Sequence, residues 1–218
     1  MIEIIRKNRF FTVPYLIFIL IATFCLVFFS KDRIHIYLNQ INSSFADVFF
    51  KYVTYLGNGF TVAVFIVLLL FIKYRYFLIM LGNVFITTVV VQVLKRVIFA
   101  ETLRPTKYFS GIYDLHLVDG VKMHSFNSFP SGHTATAFGL FFMAALISKN
   151  NSLKLLFFVL ALLAAYSRVY LSQHFLVDIY FASIISVAFT FFMYYWGTTW
   201  KNPKLDNALF RKSEEMIY

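Results

Sequence analysis

The chain has 218 residues, of which 60% are hydrophobic and only 14% are charged. A soluble domain carries roughly 45–50% apolar and about 25% charged residues, so this composition excludes a disordered chain, a soluble nucleic-acid-binding protein and a disulfide-stapled secreted module. Cys25 is the single cysteine, which excludes an intramolecular disulfide and a cysteine-based zinc site. The formal net charge of +10 fits the Lys and Arg residues that gather at the cytoplasmic ends of membrane spans. The composition therefore predicts an integral membrane protein.

Six apolar stretches are candidates for membrane spans. A helix that crosses the hydrocarbon core needs about 20 largely apolar residues, and the fourth stretch reaches a useful length only if it begins near Ser131. The sequence contains no internal repeat and no low-complexity linker. We therefore expect one all-α, six-span helical bundle over residues 1–218. In chain order the predicted spans are 10–29, 52–72, 76–94, 134–148, 153–166 and 175–196.

The first stretch and the distribution of charge bear on orientation. The first stretch follows three basic residues, but it is longer than a signal-peptide core of roughly 7–15 residues and no small-residue cleavage site follows it, so we interpret it as a retained anchor. Six spans place both termini on one side of the membrane. That side carries a slight excess of Lys and Arg, to which Arg211 and Lys212 contribute. Basic residues favour the cytoplasm, so the tail, residues 198–218, is predicted to be cytoplasmic and the long loop 101–130 extracytoplasmic.

Polar residues that a membrane protein has little reason to keep stand at the ends of the last four spans. When the crossings are counted, all of them fall on the face opposite the termini, although they are spread over more than 80 residues of sequence. The sequence therefore predicts one polar cluster at the extracytoplasmic surface. Its members are Lys95, Arg96, Arg104, Ser131, Gly132, His133, Ser167, Arg168, His174 and Asp178.

This cluster has the side chains of a phosphate site. Arg offers a planar fork of donors and Lys a point charge, so Lys95 or Arg96 together with Arg104 and Arg168 suits a dianionic phosphate. Ser131 and Gly132 stand where a helix begins, and the free amides and the positive end of the helix dipole favour an anion there.

Two histidines and one carboxylate supply reactivity. His174 and Asp178 lie four residues apart at the start of a helix and so share one face. Asp178 can accept a hydrogen bond from one imidazole nitrogen and leave the other as a nucleophile. His133, on another helix, is available as a general acid. This scheme needs no metal and no cofactor.

With these residues placed, the sequence resembles the type 2 phosphatidic acid phosphatase family over about residues 52–196. The second part of the family signature, Pro-Ser-Gly-His, stands unaltered at residues 130–133, and the third, Ser-Arg followed by His and Asp, is matched by Ser167, Arg168, His174 and Asp178. The first part is usually Lys, six residues, Arg-Pro. Here eight residues separate Lys95 from Arg104, and seven separate Arg96 from it. We take Lys95 as the phosphate ligand, with Arg96 as the substitute.

The resemblance implies a bacterial inner-membrane phosphatase with a periplasmic active site. His174 would attack phosphorus and form a phosphohistidine, His133 would protonate the leaving group, and Lys95, Arg104, Ser131, Gly132 and Arg168 would stabilise charge on the phosphate. The partners it implies are membrane lipids and a lipid phosphate substrate, with no nucleic acid. Candidate substrates are undecaprenyl pyrophosphate, phosphatidylglycerol phosphate, phosphatidic acid and the phosphates of lipid A.

Three other interpretations stay open at this point. A phosphohistidine can pass its phosphoryl group to an alcohol, which gives a lipid phosphotransferase. A catalytically silent lipid-phosphate-binding or transport protein would keep the cations, although it would not need the pair of histidines. A vanadate-dependent haloperoxidase shares the pocket, but its relatives are soluble. We interpret His116, His124, Asp114 and Asp119 as a solvated loop, because their spacing fits no metal-ligand pattern.

Overall fold

A computed structural model describes residues 1–210, and within that range the chain is all-helical, without strands. The longest helices are joined by short turns, except that residues 99–131, which contain only the short helix α7, separate the turn after α6 from α8. The helices are α1 Ile2–Lys7, α2 Arg9–Phe28, α3 Lys31–Gln40, α4 Ser44–Val53, α5 Gly59–Leu69, α6 Tyr74–Val93, α7 Pro105–Tyr108, α8 Gly132–Ile147, α9 Asn151–Tyr170 and α10 Leu176–Thr198.

Four helices are long and apolar enough to cross a membrane: α2, α6 with the turn that extends it to Ile98, α9 and α10. The second predicted span, 52–72, is not one straight helix. The chain bends by 49° between Ser44–Gly57 and Gly59–Leu69, because Asn58 caps a new helix by accepting a hydrogen bond from the backbone N–H of Thr61 at 2.8 Å. The bent pair can count as one further span. These helices make the chain an integral membrane protein.

Helix α8, which is shorter than the four long apolar helices, lies at the centre of the bundle. It is buried along almost its whole length and packs against α5, α6, α9 and α10. Small residues permit this close packing: a Cβ placed on Gly139 would come within 2.8 Å of Ser186 Oγ, and Ser186 donates a hydrogen bond to the carbonyl of Ala135. With 16 residues, α8 is shorter than the roughly 20 residues that a lipid-facing helix needs to cross the hydrocarbon core.

The loop between α6 and α8 is docked on the helices. The side-chain amide of Asn39, on α3, donates to the His116 carbonyl and accepts from the His116 N–H, each at 2.9 Å. His116 Nε2 also lies 2.9 Å from Asp47 Oδ1. The expectation of a solvated loop therefore fails at His116, which is held in place by α3 and α4. Helix α3 was not predicted from the sequence.

At the opposite end of the bundle, the segment after α10 folds back onto α6. Asp206 accepts hydrogen bonds from Arg75 at 2.8 Å and from Lys73 at 2.9 Å. The hydrogen bond from Arg75 is the main reason that the pKa of Asp206 is lowered to about 2. The tail is therefore tied down at least as far as Asp206. The tail residues Arg211 and Lys212, which entered the charge count, lie outside the described residues.

Candidate active site

The polar end of the bundle contains His174, held in a short loop between α9 and α10. The backbone N–H groups of Gln173 and His174 both donate to the Arg168 carbonyl, at 2.9 and 3.0 Å. Ser172, just before them, has the left-handed φ of 51° that lets the chain reverse direction. This turn ends α9 and directs His174 toward the start of α10. His174 is 2% exposed.

Asp178, in the first turn of α10, fixes the orientation of His174. Its Oδ2 lies 3.2 Å from His174 Nδ1, accepts the Phe175 N–H at 3.0 Å, and accepts the Ser128 hydroxyl at 2.5 Å. The same carboxylate therefore caps the helix and holds the imidazole. With the proton on Nδ1, the Nε2 lone pair is free, which is the arrangement expected for a nucleophile.

His174 lines a cavity of about 480 Å³ at this end of the bundle, which we call the polar cavity. Five Lys or Arg and three His side chains line it, and none of its lining residues is Asp or Glu. Such a cavity attracts anions, since its positive charges are not neutralised at the walls. The basic and imidazole side chains are Lys51, Lys95, Arg104, Lys122, His124, His133, Arg168 and His174.

Two of the cations are oriented by one glutamine. The Oε1 atom of Gln173 accepts from Arg104 Nη1 at 3.2 Å and from Arg168 Nη2 at 3.4 Å. Arg104 also donates to the carbonyls of Gln173 and Phe126, and Arg168 donates to Thr54 Oγ1 at 2.6 Å. The buried Nε of Arg168 has no hydrogen-bond partner within residues 1–210. Both guanidinium groups are thus fixed before any ligand binds.

The structure distinguishes Lys95 from Arg96. Residues Leu94–Ile98 form a wider, π-helical turn at the end of α6. Such a turn accommodates an extra residue and is frequent at functional sites, which gives a physical account of the long spacing before Arg104. Lys95 lines the polar cavity, whereas Arg96 is exposed and is not among the lining residues.

The start of α8 brings Gly132 and His133 to the cavity, but it directs Ser131 elsewhere. Ser131 is fully buried, its Oγ accepts hydrogen bonds from the Thr134 N–H and hydroxyl, and its own N–H donates to the Asp178 carbonyl. Ser131 is therefore the cap of α8, and it does not line the polar cavity. Asp178 likewise stands behind His174 and outside the lining.

Burial lowers the pKa of His174 well below its usual value, and the nearby charges of Arg104, Arg168 and Lys95 lower it further. Both effects disfavour the imidazolium form. His174 is therefore neutral near pH 7, the state in which Nε2 can attack an electrophile.

Several site residues were not found from the sequence. Gln173 bridges the two arginines and Ser128 contacts Asp178, yet neither belongs to a motif; the adjacency of Gln173 to His174 was the one available signal. His124, interpreted as a solvated loop residue, lines the polar cavity. Within residues 1–210, no three His, Cys, Asp or Glu side chains are grouped so that they could hold a metal ion.

A smaller cavity of about 180 Å³ adjoins the polar cavity, and the two share Gln92, Gly132 and His133. We call it the side cavity. It extends between α5, α6 and α8 and has a mixed lining, with apolar residues such as Val84 beside hydroxyl groups such as that of Thr88. The polar cavity therefore borders a space inside the helical bundle.

Comparisons with known proteins agree with this fold. The sequence model of the PAP2 superfamily matches residues 76–202. The crystal structure of Aquifex aeolicus LpxE has a TM-score of 0.66 with 24% sequence identity, and the match covers 74% of this chain and 92% of that one. The crystal structure of the first transmembrane PAP2 type phosphatidylglycerolphosphate phosphatase from Bacillus subtilis has a TM-score of 0.65 with 24% identity, covering 88% and 98%.

At this level of identity the two structural matches concern the fold, and no curated protein matches the sequence. The family match spans more than half of the chain and includes all three signature parts. The resemblance that the motifs predicted is thereby confirmed. The chain belongs to the PAP2 superfamily, the type 2 phosphatidic acid phosphatases, and is a membrane phosphatase.

Proposed function

We propose that this membrane phosphatase hydrolyses a lipid phosphate or lipid pyrophosphate through a phosphohistidine on His174. The observation that carries the proposal is the contact between His174 Nδ1 and Asp178 Oδ2 at a cavity lined by Lys95, Arg104 and Arg168. A neutral, oriented imidazole beside several fixed cations has the properties of a nucleophile for phosphoryl transfer.

In the first step, His174 Nε2 attacks phosphorus, a P–N bond forms, and the P–O bond to the lipid breaks. His133 gives its proton to the departing oxygen. In the second step His133 takes a proton from water, the resulting hydroxide attacks phosphorus, and the P–N bond breaks to release inorganic phosphate. Lys95, Arg104 and Arg168, with the amides at the start of α8, stabilise the charge on the equatorial oxygens.

The smaller of the two cavities supports a lipid substrate. Since the side cavity shares Gly132 and His133 with the polar cavity, a headgroup at His174 can extend its lipid linkage between α5, α6 and α8. The mixed lining of this space suits the boundary between a headgroup and its tail. One structural neighbour is titled a phosphatidylglycerolphosphate phosphatase, which supports the same class of substrate here.

We further propose that the chain is one six-span domain over residues 1–218 with its site facing the periplasm from the bacterial inner membrane. The bent pair α4–α5 and the short central α8 would then be the two spans that add to the four long helices. Lys73, Arg75 and Lys154 stand at the end opposite His174, as the positive-inside rule requires of a cytoplasmic end. The loop 101–130 would be extracytoplasmic and the tail 198–218 cytoplasmic.

The test is phosphate release in detergent with EDTA present, from undecaprenyl pyrophosphate, phosphatidylglycerol phosphate, phosphatidic acid and lipid A. The wild type is expected to release phosphate from at least one lipid faster than from a soluble phosphate ester, and His174→Ala is expected to release none. Addition of an acceptor alcohol separates hydrolysis from phosphotransfer. Equal release by His174→Ala would refute the nucleophile, and no release by the wild type would favour a binding or transport protein.

A further inference from the structure

The polar cavity contains basic side chains that the proposed mechanism does not use. Lys51 comes from α4, and Lys122 and His124 come from the loop before α8. Lys51 Nζ donates to the Asp119 carbonyl at 2.6 Å, and a Cβ on Gly120 would lie 2.8 Å from the same Nζ. Helix α4 and this part of the loop therefore touch, and together they form one wall of the cavity.

The positive charge of the polar cavity exceeds what one phosphate group requires. A phosphate monoester carries at most two negative charges, and Lys95, Arg104 and Arg168 already supply three positive ones. Lys51 and Lys122 add two more, while no acidic side chain among residues 1–210 lines the cavity. Partial burial lowers the pKa of His124, and the positive charges of Arg104 and Lys122 lower it further.

The size of the cavity agrees with a larger anion. A volume of about 480 Å³ falls within the roughly 300–1,000 Å³ of pockets that hold drug-sized ligands. One phosphate group at His174 would leave much of this space empty. The basic side chains and the volume that the phosphate at His174 does not need therefore lie in the same cavity.

We propose that Lys51, Lys122 and His124 form a second anion subsite, and that the preferred substrate is a lipid whose headgroup carries two phosphate groups. This inference rests on the proposed function, because it assumes that the terminal phosphate is the one transferred to His174. Two kinds of lipid have this chemistry: a lipid diphosphate, and a lipid whose terminal phosphate monoester is joined through a short linker to a phosphodiester.

The two kinds differ in what the second phosphate does. In a diphosphate it is the leaving group: as the P–O bond breaks, the electron pair passes to its bridging oxygen and its negative charge grows. Lys51 and Lys122 would then stabilise the transition state and raise kcat. In a phosphodiester the charge does not change during the reaction, so the same side chains would lower KM instead.

The experiment uses the full-length protein in detergent and two matched pairs of substrates, farnesyl diphosphate with farnesyl phosphate, and phosphatidylglycerol phosphate with phosphatidic acid. The two members of each pair have the same lipid tails. The kcat/KM of the member with two phosphate groups, divided by that of the member with one, therefore measures the effect of the second phosphate. Lys122→Gln is expected to lower this ratio about tenfold for the preferred pair, as expected for the loss of a hydrogen bond to a charged group. Lys122→Arg is expected to retain the wild-type ratio.

Lys107→Gln is the matched control. It removes the same charge from the same loop, but Lys107 is exposed and does not line the cavity, so the ratio is expected to stay at its wild-type value. Lys51→Gln removes a hydrogen bond to the loop as well as a charge, so a change in its rates alone would not identify the cause. Anion binding by this variant is therefore measured directly, as inhibition. Methylenediphosphonate is expected to inhibit the wild type more strongly than methylphosphonate does, and to lose that advantage in both lysine variants.

The outcomes separate this inference from the proposed function. An equal loss on both members of both pairs, an unchanged ratio in both pairs, or a wild-type ratio near one in both pairs would overturn the second subsite, while phosphate release that depends on His174 would still stand. If the wild type hydrolysed none of the four lipids, the second subsite would be refuted, and the proposed function would still be decided by undecaprenyl pyrophosphate and lipid A.

Discussion

His174 Nδ1 lies 3.2 Å from Asp178 Oδ2, and both side chains are almost completely buried. The same oxygen accepts hydrogen bonds from Ser128 and from the Phe175 N–H. Asp178 therefore links the start of α10, the loop before α8 and the imidazole in one arrangement. An aspartate in the first turn of a helix also complements the helix dipole, so the fold stabilises this carboxylate where the chemistry requires it.

Asp178→Asn tests whether that carboxylate acts on the tautomer of His174. The amide keeps the shape of the side chain but no longer favours a proton on Nδ1. We expect kcat to fall by about 10³- to 10⁴-fold, by analogy with the aspartate of serine protease triads. The measurement is the initial rate of phosphate release, with the thermal unfolding of the detergent-solubilised variant as the control for folding. A well-folded Asp178→Asn variant with wild-type kcat would contradict this role.

The low pKa of His174 predicts the pH dependence of kcat/KM. Burial and Arg104 lower this pKa below 6.5, so the nucleophile stays neutral, and the rate is maintained, as the pH falls to 6.5. Arg104→Gln removes one positive charge, which raises the pKa of His174 and moves the acid limb of the profile to higher pH. The ionisation of the substrate is the same for both proteins. Lys107→Gln serves as the control, and a shift of the limb to lower pH in Arg104→Gln would be inconsistent with this account.

Gln173→Leu tests the bridge between the two arginines. Leucine has a similar volume but cannot accept the hydrogen bonds from Arg104 and Arg168. Both guanidinium groups should lose their fixed orientation, and misplacement of about 1 Å can cost about 100-fold in rate. We expect a loss of kcat/KM of roughly 10- to 100-fold, together with weaker inhibition by inorganic phosphate. Unchanged inhibition by phosphate would show that Gln173 does not position the cations.

Two glycines on either side of the bend after α4 form a matched pair. A Cβ on Gly57 would lie 2.6 Å from the His133 carbonyl oxygen, whereas a Cβ on Gly59 would meet nothing within 4 Å. Gly57→Ala must therefore displace the first turn of α8 and with it His133. We expect a large fall in kcat for Gly57→Ala and activity close to wild type for Gly59→Ala, measured as phosphate release. Equal activity of the two variants would contradict a contact role for Gly57.

The sequence was sufficient to predict the all-helical class of fold and to single out four side chains that the structure brings together. Apolar stretches of about 20 residues indicate spans directly, since the bilayer sets their length. The signature parts gave His133, His174, Arg104 and Arg168, because side chains that act on one phosphate must be kept at defined places in the chain. All four line the same cavity in the structure.

Some of the features that were missed depend on contacts between distant segments. The bend at Asn58 is instead a local helix cap within an apolar run, so hydropathy alone did not reveal it. The docking of His116 onto Asn39 and Asp47 arises from tertiary packing. Gln173 orients Arg104 and Arg168 because the fold places both guanidinium groups within hydrogen-bond distance of its side chain. The spacing of these residues in the sequence does not indicate that contact.

The central claim is that His174 becomes covalently phosphorylated. The most direct measurement is a single-turnover reaction with a substrate labelled in the phosphate that is released, quenched in alkali because phosphohistidine is labile to acid, and followed by analysis of the labelled residue. We predict transient label on His174 in the wild type and none in His174→Ala. Turnover by the wild type without label on His174, or label that persists in His174→Ala, would contradict it.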